Sequence, residues 1–369
     1  MELKKLLPGT KNILFRTFGV PLKPKWVWLE LTERCNSRCS QCGIWKKEPV
    51  KDELTSAEMK KILSDPLFSE VEWILNAGGE PTLRNDLEDV IMAQHEALPS
   101  ASIMLSTNGL LPERALNIAK LAVRHKIKIG IGTSIEGIGE KHDIIRGVKG
   151  NFVKTDRLLR ELVELGKTYE GLSPSFGFTL TNDSLASIEE VKAYAKQLGV
   201  SYLIQWYNES SFYNNEGRDL AGKKMEMIEA MKKEPFSLIN EKGLKRLKGQ
   251  SIKFRCFAMS TFCMIHCNGD VSPCLGRWDV KAGNLRQKTA SEIWNSPEAG
   301  KIRAGVKKCA GCLNSCGVMW SHESSLDPEI NILPVKKLKN IFKKRMPESA
   351  AFLKKIRASI FNKTDGKKP

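Results

Sequence analysis

From residue 26 to residue 206, short apolar runs alternate with segments in which apolar positions recur every three or four residues. The runs are of strand length and the segments of helix length. The pattern predicts strands over 26–32, 71–76, 103–107, 127–135, 175–181 and 202–206. Helices are predicted near 55–64, 85–97, 112–125, 151–168 and 185–198. Six strands joined by five crossover helices predict an α/β fold with a parallel sheet. Right-handed crossovers would curl it into a barrel or part of one, a partial (β/α)6 TIM-like barrel over 26–207. The stretch 208–255 is polar, with a helical pattern near 219–233, and reads as a bridge. No internal sequence repeat accompanies this periodicity.

Length and composition fit a folded chain. The 369 residues suffice for one large domain and a smaller one. No run of about 20 apolar residues predicts a transmembrane helix. Lys4 and Lys5 open the chain, but Pro8, Lys11 and Arg16 interrupt the apolar run that a secretory signal needs. A cytoplasmic location is therefore expected. The net charge of +17 is concentrated at the ends. Residues 1–25 form a basic segment, and 332–369 a tail with twelve Lys or Arg against two acids. The body between is close to neutral, unlike a nucleic-acid-binding domain.

Ten cysteines are many for a chain in a reducing compartment, where clustered thiols point to metal or catalysis. Three lie between 35 and 42, and seven between 256 and 316. Cys35, Cys39 and Cys42 form a C-x3-C-x2-C loop directly after the first strand, at the end of a barrel where active-site loops gather. Three thiolates can hold three irons of a cubane cluster and leave the fourth open to chelate an amino and a carboxylate group. A structural zinc loop is the alternative, although zinc commonly takes a closed four-ligand shell and no fourth ligand lies nearby.

With its place after the first strand, this loop resembles the signature of the radical S-adenosylmethionine enzymes. Gln41 departs from the resemblance, because the residue before the third cysteine is often aromatic there. Gly78-Gly79-Glu80-Pro81 after the second strand looks like the segment that binds the methionine amino group. Ser106-Thr107-Asn108-Gly109 ends the third strand, and Asn108 is implied to lie near ribose or substrate. Ser134, at the end of the fourth strand, and Arg146 resemble the pair that holds the cofactor carboxylate. Thr179, Thr181, Asn182 and Gln205 end the last two strands, where lining and ordinary strand-end roles are both open. The resemblance implies that a reduced [4Fe–4S] cluster cleaves S-adenosylmethionine, and that the resulting 5′-deoxyadenosyl radical abstracts hydrogen from a substrate. No catalytic side chain beyond the cluster ligands is singled out.

The second cysteine set resembles the SPASM extension of many such enzymes, and a SPASM-type domain is placed over 256–331. Its implied auxiliary-cluster ligands are Cys256, Cys274, Cys309 and Cys312, with Cys316 as a substitute fourth. One auxiliary cluster is expected, serving oxidation or modification of a peptide, sugar or lipid-linked substrate. Cys263 reads as a buried free thiol, and Cys267 is left open. A zinc ribbon is the alternative for the set.

Apolar positions among the basic residues of both ends suggest amphipathic helices. These could lie on the anionic inner face of a membrane or pack on the body. A nucleic-acid partner is not expected. A small electron-donor protein of flavodoxin or ferredoxin type is. The competing function is a non-catalytic zinc or iron–sulfur protein that docks to a membrane or RNA through its basic ends.

Overall fold

The computed structural model describes residues 21–218, 222–235 and 237–325, together with Asn12. The expected helices of the basic tail lie outside the described residues. Contacts divide the chain into Lys23–Ser321 and a second unit of Met1–Leu22 with His322–Pro369. In the second unit Asn12 donates a hydrogen bond to the Ser324 carbonyl. The described strands and all ten cysteines belong to Lys23–Ser321.

Six parallel strands form the centre of that unit: β1 (Trp26–Thr32), β2 (Trp73–Gly78), β3 (Ser102–Ser106), β4 (Ile129–Ser134), β5 (Leu172–Leu180) and β6 (Ser201–Trp206). They lie in sequence order, as consecutive right-handed crossovers require. Every residue of β1 is buried, which is why it reads as an unbroken apolar run. On the strands beside it one face surrounds a common cavity: Leu75 and Ala77, Met104 and Ser106, Gly132 and Ser134 line it at alternate positions. That wrapping is the partial barrel. Helices Pro112–His125 and Asn151–Gly166 pack on β4 and β5.

The helices start where local chemistry satisfies their first amides. Thr55 caps Ser56–Leu63 in a reciprocal capping box with Glu58. Pro112 takes the first turn of its helix, where a missing N–H costs nothing. The seven-residue helix Glu140–Arg146, bounded by Gly139 and Gly147, falls outside the helices that the apolar pattern predicts.

The cysteine-rich part adds three strands: β7 (Phe262–Ile265), β8 (Asp270–Ser272) and β9 (Gly283–Asn284). β7 pairs in parallel with β1, Trp28 opposite Met264, and β8 and β9 follow antiparallel. The nine strands thus make a single sheet. Side chains reinforce the join: Arg286 donates to Asp52 at 2.8 Å and to Glu58 at 2.7 Å. Arg286 holds the Glu58 carboxyl down at about 2.

Candidate active site

The residues of the first cysteine loop open onto one cavity of about 570 Å³. Cys35, Cys39 and Cys42 line it together with Gly78, Gly79, Glu80, Asn108, Ser134 and Arg146. Every cofactor residue expected from the barrel sequence therefore meets at one place. Burial pushes the Cys35 thiol up to about 11 and also raises Cys42.

The loop is held by backbone bonds to the end of the Glu140–Arg146 helix. Arg38 and Ser40 donate their N–H groups to the carbonyls of Arg146 and Ile145, at 3.1 and 2.9 Å. Ser37 Oγ lies 3.1 Å from Cys39 Sγ and donates to the Arg146 carbonyl at 3.0 Å. Gly147 makes this approach possible: its φ is +68°, and a Cβ there would meet the Arg38 carbonyl at 2.4 Å.

Buried side chains then form a relay that begins and ends on the cysteine loop. Gln41 Nε2 donates to Glu136 Oε1 at 2.8 Å. The Glu136 N–H donates to His142 Nδ1 at 3.2 Å, which leaves Nε2 as the protonated nitrogen, 3.0 Å from Asn151 Oδ1. Asn151 Nδ2 donates to the Asn108 carbonyl at 3.1 Å, and Asn108 Nδ2 to Asn36 Oδ1 at 2.7 Å. Gln41, the departure noted in the sequence, is thus an anchor of the loop. Burial, helped by the Arg146 charge, lowers the His142 pKa to about 4, keeping the imidazole neutral.

Arg146 and Glu136 form a buried pair, Nη1 to Oε1 at 3.5 Å. Burial raises the Glu136 carboxyl, and it opposes the Arg146 charge. Cys39 and Glu136 outweigh that opposition and keep the guanidinium charged. Arg146 Nε is buried without a partner, and so are Gln41 Oε1 and Thr133 Oγ1, all on cavity-lining residues. An unmet guanidinium donor beside three thiols fits a cofactor carboxylate. The residues present therefore suit a three-cysteine cluster with S-adenosylmethionine.

Glu80, which lines the cavity, is also held from within the chain. Its fully buried carboxylate already accepts from Thr82 Oγ1 (2.6 Å), Thr82 N (3.0 Å), Thr107 Oγ1 (2.8 Å) and Asn108 N (2.6 Å). It joins the second and third strand ends and fixes Asn108, while Gly78 and Gly79 contribute backbone to the wall. Thr179 and Gln205 also line the cavity. Thr181 instead bonds to Ser184, and Asn182 accepts from the Lys223 N–H at 2.9 Å. The sequence reading missed Glu136, His142 and Asn151. Their only local signal was proximity to Ser134 and Arg146.

In the cysteine-rich part, Cys274 and Cys312 both feel the charge of Cys256, and Cys312 that of Cys309. These four are the group that the sequence pattern implied. Cys316 lines the central cavity, packs with Trp28, Phe212 and Met264, and shares a small pocket with Cys274. The helix Ser315–Ser325 begins one residue earlier and turns this thiol toward the barrel. Cys263 is buried on β7, its thiol pushed up to about 12. Cys267 is buried near Glu30, Glu33 and Glu53, which disfavour a thiolate. Among the described residues no three His, Cys, Asp or Glu side chains converge as a single-ion site. Thiolates that each take a separate iron of a cluster stand wider apart than four sharing one zinc.

Aromatic side chains also line the cavity, among them Trp28, Tyr202, Trp206, Phe212, Tyr213 and Trp320, and Trp28, Phe212, Tyr213 and Trp320 pack with Cys42. Among the described lining residues Glu80 and Arg146 are the only acidic or basic side chains.

Comparison with known proteins agrees with both halves. Residues 29–195 match the radical SAM superfamily profile, and residues 256–316 match SPASM, an iron–sulfur cluster-binding domain. The chain is 26% identical over 335 residues to an AdoMet-dependent heme synthase of Methanosarcina barkeri, covering 78% of this chain and 91% of that protein. It is 31% identical over 177 residues to an Fe-coproporphyrin III synthase of the same organism, covering 47% of this chain and 41% of the other. Streptococcus suis SuiB, solved with S-adenosylmethionine, shares the fold at a TM-score of 0.59 and 18% identity, over 80% of this chain and 71% of its own.

Proposed function

Because this chain is a radical S-adenosylmethionine enzyme with a C-terminal SPASM domain, we propose that its central cavity abstracts hydrogen from an uncharged, largely apolar part of its substrate. Bound in the Cys35–Cys42 loop, a reduced [4Fe–4S] cluster with S-adenosylmethionine supplies a 5′-deoxyadenosyl radical. The chain's own residues bind, orient and exclude water. Arg146 offers its unpartnered Nε–H to the cofactor carboxylate, with Ser134 on the adjoining strand end. Glu80 and Asn108 fix the loop through Asn36. The aromatic walls shield the reacting carbon from solvent.

One observation carries this reading: three cluster-spaced thiols and an unmet buried guanidinium donor share a cavity. The aromatic walls carry the substrate part, since apart from Glu80 and Arg146 the described lining has no acidic or basic side chain to meet an ionised group. The flat apolar ring system named by the heme synthase relative would suit such walls. Cys256, Cys274, Cys309 and Cys312 would hold an auxiliary cluster able to take the electron left on the substrate, giving net oxidation. The non-catalytic alternative has no support in the relatives.

Anaerobic reconstitution followed by dithionite reduction tests the reaction. Methionine and 5′-deoxyadenosine are expected, and Cys35→Ala abolishes both. Zinc uptake without cleavage would overturn the proposal. Substrate-dependent 5′-deoxyadenosine formation, measured over porphyrins and peptides, tests the charge argument. A best substrate with an ionised group on the reacting carbon itself would refute it.

A further inference from the structure

After β6 the chain folds back onto the first cysteine loop as a strap, residues 207–218. Tyr207, Asn208, Phe212, Tyr213 and Asn215 of this strap line the cavity. The Gly43 N–H donates to the Tyr213 carbonyl at 2.6 Å, and Asn214 Nδ2 donates to the Gly43 carbonyl at 3.3 Å. A Cβ on Gly43 would stand 2.2 Å from the Asn214 carbonyl oxygen, so only glycine admits this contact. Arg218 donates to the Ser40 carbonyl. Cys42 Sγ lies 4.0 Å from the Tyr213 carbonyl.

Asn215 ties the strap together. It is 2% exposed, and both ends of its amide are bonded. Nδ2 donates to the carbonyls of Gln41 and Asn208 at 3.1 and 3.2 Å, and Oδ1 accepts from the Ser210 N–H at 3.0 Å. Its own carbonyl accepts from the Tyr207 hydroxyl at 3.0 Å. Gln41 is therefore gripped twice: its side chain by Glu136, beyond β4, and its backbone by Asn215, beyond β6. The earlier part of the loop is held differently. Arg38 and Ser40 bond to the end of the Glu140–Arg146 helix, so Cys39 keeps its place beside Arg146. Cys42 lies past those bonds, between two residues that the strap holds.

We propose that Asn215 is a positioning residue for the third cysteine, fixing Cys42 relative to Arg146 and Ser134. The inference rests on the reading of the Cys35–Cys42 loop as a cluster site and adds how the far end of that loop is placed. Asn215 acts through the Gln41 carbonyl. The thiols and the Arg146 guanidinium hold two parts of one bound cofactor, so a displaced Cys42 mismatches the two anchors. A misplacement of about 1 Å can cost about a hundredfold in rate.

Asn215→Ala removes the grip on Gln41 and leaves every cysteine in place. The reconstituted variant should keep the wild-type iron content. The electron paramagnetic resonance spectrum of its dithionite-reduced cluster should shift, and the S-adenosylmethionine concentration that half-converts that spectrum should rise about tenfold. Asn240→Ala is the control: it removes a buried asparagine that bonds to the Met231 carbonyl and does not line the cavity, and it should match the wild type in all three readings. Tyr207→Phe loosens Asn215 more gently and should raise the half-converting concentration about threefold. It decides the question if Asn215→Ala does not fold or take up iron. A wild-type spectrum and titration in Asn215→Ala, or in Tyr207→Phe where that variant decides, would overturn the positioning role. So would an equal weakening in Asn240→Ala. The reaction class stands in those cases as long as the wild type cleaves S-adenosylmethionine. A wild type that takes up no cluster removes both.

Discussion

Glu136→Gln is the substitution that tests the buried relay most directly. The side chain is fully buried. Its Oε1 accepts from Gln41 at 2.8 Å and faces Arg146 Nη1 at 3.5 Å, and its Oε2 accepts from the Thr179 N–H at 2.8 Å. Glutamine keeps the shape but has one acceptor oxygen. If that oxygen faces Thr179, the amide NH2 meets Gln41 and Arg146, which are also donors. The flipped amide gives Thr179 the same conflict. An unmet buried donor costs about 1–3 kcal/mol. A buried guanidinium deprived of its counter-charge costs about 3–5 kcal/mol. Both losses arise at the same atoms and overlap, so the expected destabilisation is about 3–5 kcal/mol. Urea unfolding of the apoprotein measures it as a shift in midpoint at constant slope. Adding Arg146→Met should recover part of the loss, since the pair is then replaced on both sides. A midpoint within about 1 kcal/mol of the wild type, or a double variant worse than both singles combined, would refute the account of Glu136 as the anchor of Arg146.

Three further outcomes are expected from the same geometry. His142 stays neutral in the folded chain down to about pH 4, whereas an unfolded histidine titrates near its usual 6.5. Its folded pKa is depressed, so the unfolded state binds the extra proton, and stability falls as pH drops from 6.5 toward 4, by about 3 kcal/mol in all. His142→Gln should flatten that window in pH-dependent unfolding. Cys309→Ala with Cys312→Ala should remove about four irons on reconstitution, while Cys316→Ala should keep the full iron content; iron and sulfide assays decide. Gly79→Ala would place a Cβ 2.2 Å from the Arg34 carbonyl, one residue before Cys35. That backbone must shift, and loss of cluster uptake is expected in absorbance and electron paramagnetic resonance spectra.

The barrel was legible because β1 is buried along its whole length, β2 and β3 bury alternate residues, and the helices bury one face. The two periodicities therefore separate cleanly between residues 26 and 206. Most of the expected cofactor residues stood out because they lie at or soon after a strand end, whereas Arg146 sits on a helix well beyond β4. The Glu140–Arg146 helix was not legible, since seven residues bounded by glycines carry too few apolar positions to show a period. The relay was hidden for another reason. Gln41 follows β1, Glu136 and Asn151 lie in the connection from β4 to β5, and Thr179 lies on β5, and nothing in a linear pattern brings them together. Cys316 illustrates a third limit: C-x2-C-x3-C spacing suits a shared cluster or a divided pair of sites equally well.

The pairing of β1 with β7 has a consequence for how the chain is made. β1 leaves the ribosome early, and its neighbour on that side is not synthesised until residues 262–265. At ~5–20 residues per second the gap is on the order of ten seconds or more. During that time a strand buried along its whole length in the finished fold has one edge without a partner. Such an edge readily pairs with other nascent chains. Early chaperone engagement would protect it, and a chain truncated before Phe262 would keep that adhesive edge permanently.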